Sequence, residues 1–303
     1  MRLLHLGNVV IDLVLTVGDL PARGGDVIAT STATTPGGGF NVMAAAVRQG
    51  LPTLYAGAHG TGPFATLARA ALTEAGIEWL HPAREDLDTG FVVTLIDATG
   101  ERSFVTSPGA EATLTGDELP EPAADDLVYL SGYSLLHDSN RAALLPWLAK
   151  LPDDVEVFFD PGPLVAEIPD HALEAVLARV DWWSSNAAEA ALLTGLADPV
   201  EAARAVRRRT RRADVIVRTG PDGCVLAVRG QDVTRVGGFA VRAVDLNGAG
   251  DAHAGAFLAG IAEGKEPAEA ARRANAAAAL AVTRRGPATA PTRDELEAYL
   301  RGH

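Results

Sequence analysis

Residues 126–193 read DLVYLSGYSLLHDSNRAALLPWLAKLPDDVEVFFDPGPLVAEIPDHALEAVLARVDWWSSNAAEAALL. Three short apolar runs, Asp126 to Leu130, Val155 to Asp160 and Val180 to Ser184, are each followed by a helical pattern: Asn140 to Leu151, His171 to Ala178 and Ala187 to Leu193. Strands alternating with helices of this length predict a mostly parallel sheet covered on both faces. In such sheets ligands gather beyond the carboxyl ends of the strands.

Toward the C-terminus, Val215 to Thr219 and Cys224 to Val228 continue as strands, and Ala249 to Ala262 and Pro267 to Thr283 as helices. Toward the N-terminus, Asn41 to Gly50 and Phe64 to Ala75 are alanine-rich helical patterns stopped by Gly50 and Gly76. Leu3 to Leu15 reads as one buried first strand, with Asp12 set among apolar neighbours near its end. Residues 89–106 (TGFVVTLIDATGERSFVT) read as a hairpin turning at Asp97 to Gly100, and with residues 17–35 they predict a small separate sheet.

The whole chain, 303 residues, 48% hydrophobic and 21% charged, is long enough for a sizeable core, which excludes disorder and fibrous repeats. Its 26 Lys plus Arg stand against 39 Asp plus Glu, a formal charge of −13 that opposes nucleic-acid or anionic-membrane binding. Arg204 to Arg212 (RAVRRRTRR), flanked by Glu201 and Asp214, reads as a solvated helix face. Cys224 is the only cysteine, so no intrachain disulfide forms, and no Cys/His group has zinc-ligand spacing. With no secretory pattern and no apolar stretch of membrane-spanning length, the cytoplasm is the expected compartment.

Four motifs carry chemistry. Val244 to His253 (VDLNGAGDAH) puts Gly248, Ala249 and Gly250 just before a helix, where bare N–H groups and the helix dipole make an anion cradle suited to phosphate. Asp251 then falls in the first helical turn, as a cap or as a general base for a nearby hydroxyl. Pro36 to Asn41 (PGGGFN) is a glycine turn into a helix, in which Gly37 and Gly38 permit close ligand approach and Asn41 offers both a donor and an acceptor. Thr219 to Gly223 (TGPDG) is either a plain β-turn or a backbone surface beneath a nucleotide. Asn186 and Glu189, three apart at a helix start, share a face, for capping or for orienting nucleotide and metal.

In order, a carboxylate at Asp12, a glycine turn closing at Asn41, N-x-x-E, T-G-x-x-G and D-x-N-G-A-G-D resemble the ribokinase-like (PfkB) family of carbohydrate kinases, over nearly the whole chain. The closing stretch AVTRRGPATAPTRDELEAYL shares that likeness. The resemblance implies one domain over 1–303, a three-layer α/β/α fold with a mostly parallel sheet, and a β lid at about 13–35 and 89–107. It implies ATP and Mg²⁺ as cofactors and a small sugar or sugar-like alcohol as acceptor. Asp251 would be the base, and Gly248, Ala249 and Gly250 the anion hole for the transferred phosphoryl group. Asp12, Gly37, Gly38 and Asn41 would hold the sugar hydroxyls. Thr219, Gly220, Gly223, Asn186 and Asn275 would line the nucleotide, with Asn275 near the adenine, and Glu189 would place Mg²⁺ through water. A monovalent cation, potassium, would sit by Asp245, Asn247 and Gly286, and the lid would be the contact of a homodimer.

Several positions depart from the family pattern. Pro36 replaces the first glycine of the turn, Thr61-Gly62-Pro63 stands where an acidic residue is common, and Asn247 replaces a frequent Thr. Leu130 to Tyr133 lacks the glutamate that ribokinases set against ribose, and Gly38 stands where kinases of phosphorylated sugars often have Lys, so neither substrate is favoured. The rivals are a nucleoside kinase of the same family, with Phe40, Phe91 and Phe104 to stack on a base, and a non-catalytic sugar-binding homologue. A dinucleotide dehydrogenase lacks its G-x-G-x-x-G after the first strand.

Overall fold

The computed structural model describes every residue from Met1 to His303. Its first part contains β1 (Arg2–His5), β2 (Val9–Thr16), β3 (Ser31–Gly38), α1 (Gly39–Arg48), β4 (Thr53–Tyr55), α2 (Pro63–Glu74), β5 (Glu78–Trp79), β6 (Phe91–Ile96) and β7 (Arg102–Ser107). The strand and helix alternation follows as β8 (Asp126–Ser131), α3 (Asp138–Leu148), β9 (Glu156–Asp160), α4 (Asp170–Leu177), β10 (Trp182–Asn186), α5 (Ala187–Thr194), α6 (Pro199–Arg209) and β11 (Asp214–Arg218). The chain closes with β12 (Cys224–Ala227), β13 (Thr234–Val236), α7 (Ala249–Ala262), α8 (Pro267–Ala281) and α9 (Arg293–Arg301).

Nine strands form the large sheet in the order β13-β12-β11-β10-β9-β8-β1-β4-β5, parallel from β5 to β11, with β12 and β13 antiparallel at one edge. Because strand side chains alternate between faces, neighbouring residues divide into two cores. Leu4, Val128, Val157, Phe159, Trp183 and Val215 pack beneath α3 to α6, while Leu3, Leu127, Phe158, Trp182 and Ile216 pack beneath α1, α7, α8 and α9. This is the three-layer α/β/α architecture that the alternation predicts. Trp182, Trp183 and Cys224 are core residues. The arginines of and beside α6 meet acids at the surface, Arg204 with Glu201, Arg209 with Glu174 and Arg212 with Asp153.

The apolar run from Leu3 to Leu15 is two strands rather than one. It breaks at Leu6-Gly7-Asn8, so that β1 joins the large sheet and β2 joins a second, four-stranded sheet of order β3-β2-β6-β7. Gly39 N–H donates to the Asn8 carbonyl at 2.6 Å, which ties the two crossings between sheets together. Asp12 therefore belongs to the small sheet, opposite Thr35. The β6–β7 hairpin forms as predicted: Asp97 Oδ1 accepts from Thr99 N–H (2.8 Å) and Glu101 N–H (3.1 Å) across the turn.

Helices α1 and α7 lie side by side and are mutually buried. Gly255 makes this possible, since a Cβ there would lie 2.6 Å from the Ala45 methyl and 2.7 Å from the Val42 carbonyl. Asn41 lies one turn before Ala45 and Asp251 one turn before Gly255, so the two helices present their N-termini at one place.

Candidate active site

Gly248 caps α7 in the left-handed conformation (φ 76°), and the Pro287 carbonyl fills the space a side chain would need. The N–H groups of Gly250 and Asp251 in the first turn meet no protein acceptor, as an anion cradle requires. Asp251 is partly buried, and its Oδ2 accepts from Asn41 Nδ2 at 3.2 Å. Asn41 Oδ1 is buried without a partner, an acceptor that needs a hydroxyl or amine from outside the chain. Burial, with Asp160 nearby, pushes the Asp251 carboxyl up to about 6; the Asn41 amide and Arg218 oppose the rise.

Next to the cradle lie the carboxyl ends of β9, β10 and β11. Arg218, the last residue of β11, donates to Asp160 Oδ2 at 2.8 Å and Ser184 Oγ at 2.7 Å, and its other terminal nitrogen is 3.6 Å from Glu189 Oε2. Burial works against its charge, but Asp160 and Glu189 outweigh this and hold its pKa above the ordinary value. A Cβ on Gly250 would come within 3.6 Å of this guanidinium, so Arg218 lies directly under the cradle. Asn186 and Glu189 form a reciprocal capping box at the start of α5 (2.8 and 2.7 Å), so the capping reading holds for both. Glu189 Oε1 takes no hydrogen bond from the protein, and burial followed by Asp160 raises the pKa of this carboxyl.

On the small sheet, Gly37 passes so close to Asp12 that a Cβ would overlap its carboxylate. Gly38 (φ 61°) has the Asn8 carbonyl 2.9 Å from the position of a Cβ. Burial pushes Asp12 up to about 6, and its charge adds a little to the rise at Asp251. Thr35, facing Asp12 across the ladder, has a buried hydroxyl with no partner. Neither Thr35 nor Arg218 was recognisable from motif reading, although a charge closing an apolar strand just before Thr219-Gly220 was a usable signal.

The nucleotide-lining expectation divides. The Thr219 to Gly223 turn follows directly on Arg218, and above Gly220 (φ 66°) there is open space. Gly223 has a structural part, since the Val236 carbonyl occupies its side-chain position. Asn275 is buried and donates to the Val236 and Gly237 carbonyls at 3.0 and 3.1 Å, which anchors the loop after β13. His253 is a packing residue, buried and pushed down to about 3 by desolvation. Beside Thr61-Gly62-Pro63, Asp88 caps α2, accepting from Phe64 N–H (3.1 Å) and Ala65 N–H (2.7 Å).

The monovalent-cation expectation at Asp245, Asn247 and Gly286 does not fit. Asp245 Oδ1 accepts from Arg102 Nη2 (2.6 Å) and Asn247 N–H (3.0 Å), and Oδ2 from Gly286 N–H (3.1 Å). Burial would raise this carboxyl, but the two N–H groups and Arg102 outweigh it and hold it below the usual carboxylate range.

The chain is a phosphotransferase with an alcohol group as acceptor, as its family and relatives show. The model of the pfkB family carbohydrate kinases matches residues 2–294, and the chain belongs to that family. It is 32% identical over 297 residues to the uncharacterized sugar kinase YegV of Escherichia coli strain K12, covering 96% of this chain and 91% of that protein. Among solved structures it resembles the ribokinase of Thermotoga maritima (TM-score 0.84, 26% identity, 99% of both chains). It also resembles the ribokinase of Arabidopsis thaliana complexed with ribose and ATP (TM-score 0.81, 25% identity, 99% of this chain and 98% of that one).

Proposed function

We propose that the protein transfers the γ-phosphate of ATP to a hydroxymethyl group of a small sugar, with Asp251 as general base and the N–H groups around Gly248, Ala249 and Gly250 as the anion hole. The observation that carries this reading is the meeting of Asp251, raised to about 6, with the unpartnered amides of the α7 N-terminus and the unpartnered Asn41 Oδ1. A carboxylate with that pKa is ionised at neutral pH and accepts a proton more readily than an ordinary aspartate. Phosphoryl transfer asks the protein mainly for alignment and for stabilisation of charge on the equatorial oxygens, which the cradle and Arg218 beneath it supply.

Asp12, Asn41 and the backbone of Gly37 and Gly38 would hold the sugar hydroxyls, with Thr35 beside them. The Thr219 to Gly223 turn and Asn186 would border the nucleotide. Glu189 Oε1, which takes no other hydrogen bond, would hold through a water the Mg²⁺ that comes with ATP, and that ion would supply charge neutralisation at the phosphates. The small sheet would act as a lid that excludes water, and its exposed β7 would join two chains in a homodimer. No helix is long and apolar enough to cross a membrane, and the cytoplasm is the proposed compartment. A sugar is favoured over a nucleoside because Phe40 is buried and Phe91 packs on Phe64 at 5.1 Å, which leaves few free rings for a base.

The test is ADP release with a panel of pentoses, hexoses and nucleosides on the wild type and Asp251→Ala. Sugar-dependent turnover that falls about 10²- to 10⁴-fold in the variant, with sugar binding retained, is the expected result. Turnover with nucleosides alone would reassign the acceptor, and unchanged turnover in Asp251→Ala would remove the base.

A further inference from the structure

Asp245 opens the turn that leads into Gly248, and Gly248 packs against the Pro287 carbonyl, so the position of Asp245 sets the shape of the anion cradle. A carboxylate this close to a phosphate site needs a positive charge beside it. A monovalent cation would bind there through a ring of oxygens replacing its water shell, but those oxygens are already engaged. Asp245 accepts from Arg102, Asn247 N–H and Gly286 N–H. The Val282 carbonyl accepts from the N–H groups of both Val244 (2.7 Å) and Asp245 (3.1 Å). The Ala281 carbonyl accepts from Arg284 N–H at 3.0 Å, and the single proton of Thr289 Oγ1 is shared between the Ala281 and Gly286 carbonyls (3.1 and 3.2 Å).

We infer that the guanidinium of Arg102 is a built-in cation for this turn, so that the enzyme works without potassium. The inference rests on the kinase reading for its activity arm. Arg102 acts through Asp245 and is a positioning residue. It comes from β7, so the charge that organises the cradle is delivered by the small sheet, whereas a free ion would come from solvent. A fixed guanidinium with several N–H donors suits this place better than a hydrated ion.

The experiment compares turnover and melting temperature in potassium, sodium and tetramethylammonium chloride at equal ionic strength, for wild type, Arg102→Gln and Arg102→Lys. The wild type is expected to turn over equally in all three salts and to melt at one temperature. Arg102→Gln should lose about tenfold in kcat in tetramethylammonium, the size of one charge-assisted hydrogen bond, and regain most of it in potassium. Potassium should also raise the melting temperature of that variant alone, an effect a merely structural arginine would not produce. Arg102→Lys, which keeps the charge, should remain indifferent to the choice of salt in turnover and melting, and this arm and the wild type carry the test if Arg102→Gln does not fold. Potassium stimulation or stabilisation of the wild type, or an Arg102→Gln variant equal to wild type in every salt, would overturn the inference. If no acceptor is phosphorylated in any salt the kinase reading fails, while the melting comparison still decides the cation question.

Discussion

Burial pushes the carboxyls of Asp251 and Asp12 up to about 6, and at Asp251 the neighbours set the direction of further change. A base with a pKa of about 6 is active when ionised, so kcat should be flat above neutral pH and fall as pH drops through about 6. Arg218 favours the ionised form of Asp251, so Arg218→Gln should move this acid limb to higher pH. A pH–rate series on both proteins checks this, and a limb that stays in place would detach Arg218 from the base. At this scale the glycine cap at Gly248 and the place of Asp251 in the first helical turn were legible, because both are local to a few consecutive residues. Arg218 with Asp160, and Arg102 with Asp245, lie 58 and 143 residues apart and become neighbours only in the folded chain, the first pair through strand order and the second where the small sheet meets the loop before α7. The contact of the Asn275 amide with the loop after β13 was not legible, because 38 residues separate it from Gly237.

At the scale of elements, the site is made by two helices that start together. The close packing of α1 on α7 depends on Gly255, where any side chain would press on Val42 and Ala45. Gly255→Val should separate the helices, cost roughly 1–3 kcal/mol of stability, and lower turnover by moving Asn41 from Asp251. Chemical denaturation together with steady-state kinetics measures both, and a variant with wild-type stability and kcat would show that this contact does not set the site. The alternation of β8 to α6 was legible because parallel strands and amphipathic helices repeat their own periods. The division of Leu3 to Leu15 was not, since both halves are apolar and only their partners, β8 and β4 for one and β3 and β6 for the other, tell them apart.

Across the whole molecule, the small sheet leaves β7 as an edge strand with Phe104 61% and Val105 64% exposed. An apolar edge of this kind pairs or aggregates unless it is covered. On the proposed dimer, the wild type should have twice the 31.4 kDa chain mass in light scattering, and Phe104→Asp should return it to one. A wild-type monomer at micromolar concentration would remove the dimer.

The crossing at Leu6-Gly7-Asn8 has one more consequence. Asp12 rides on the small sheet and Asn41 on the large layer beside it. On the proposed function, a sugar held by both would fasten them as a rivet fastens two plates, and its phosphorylation would alter the fastener at the end of each turnover.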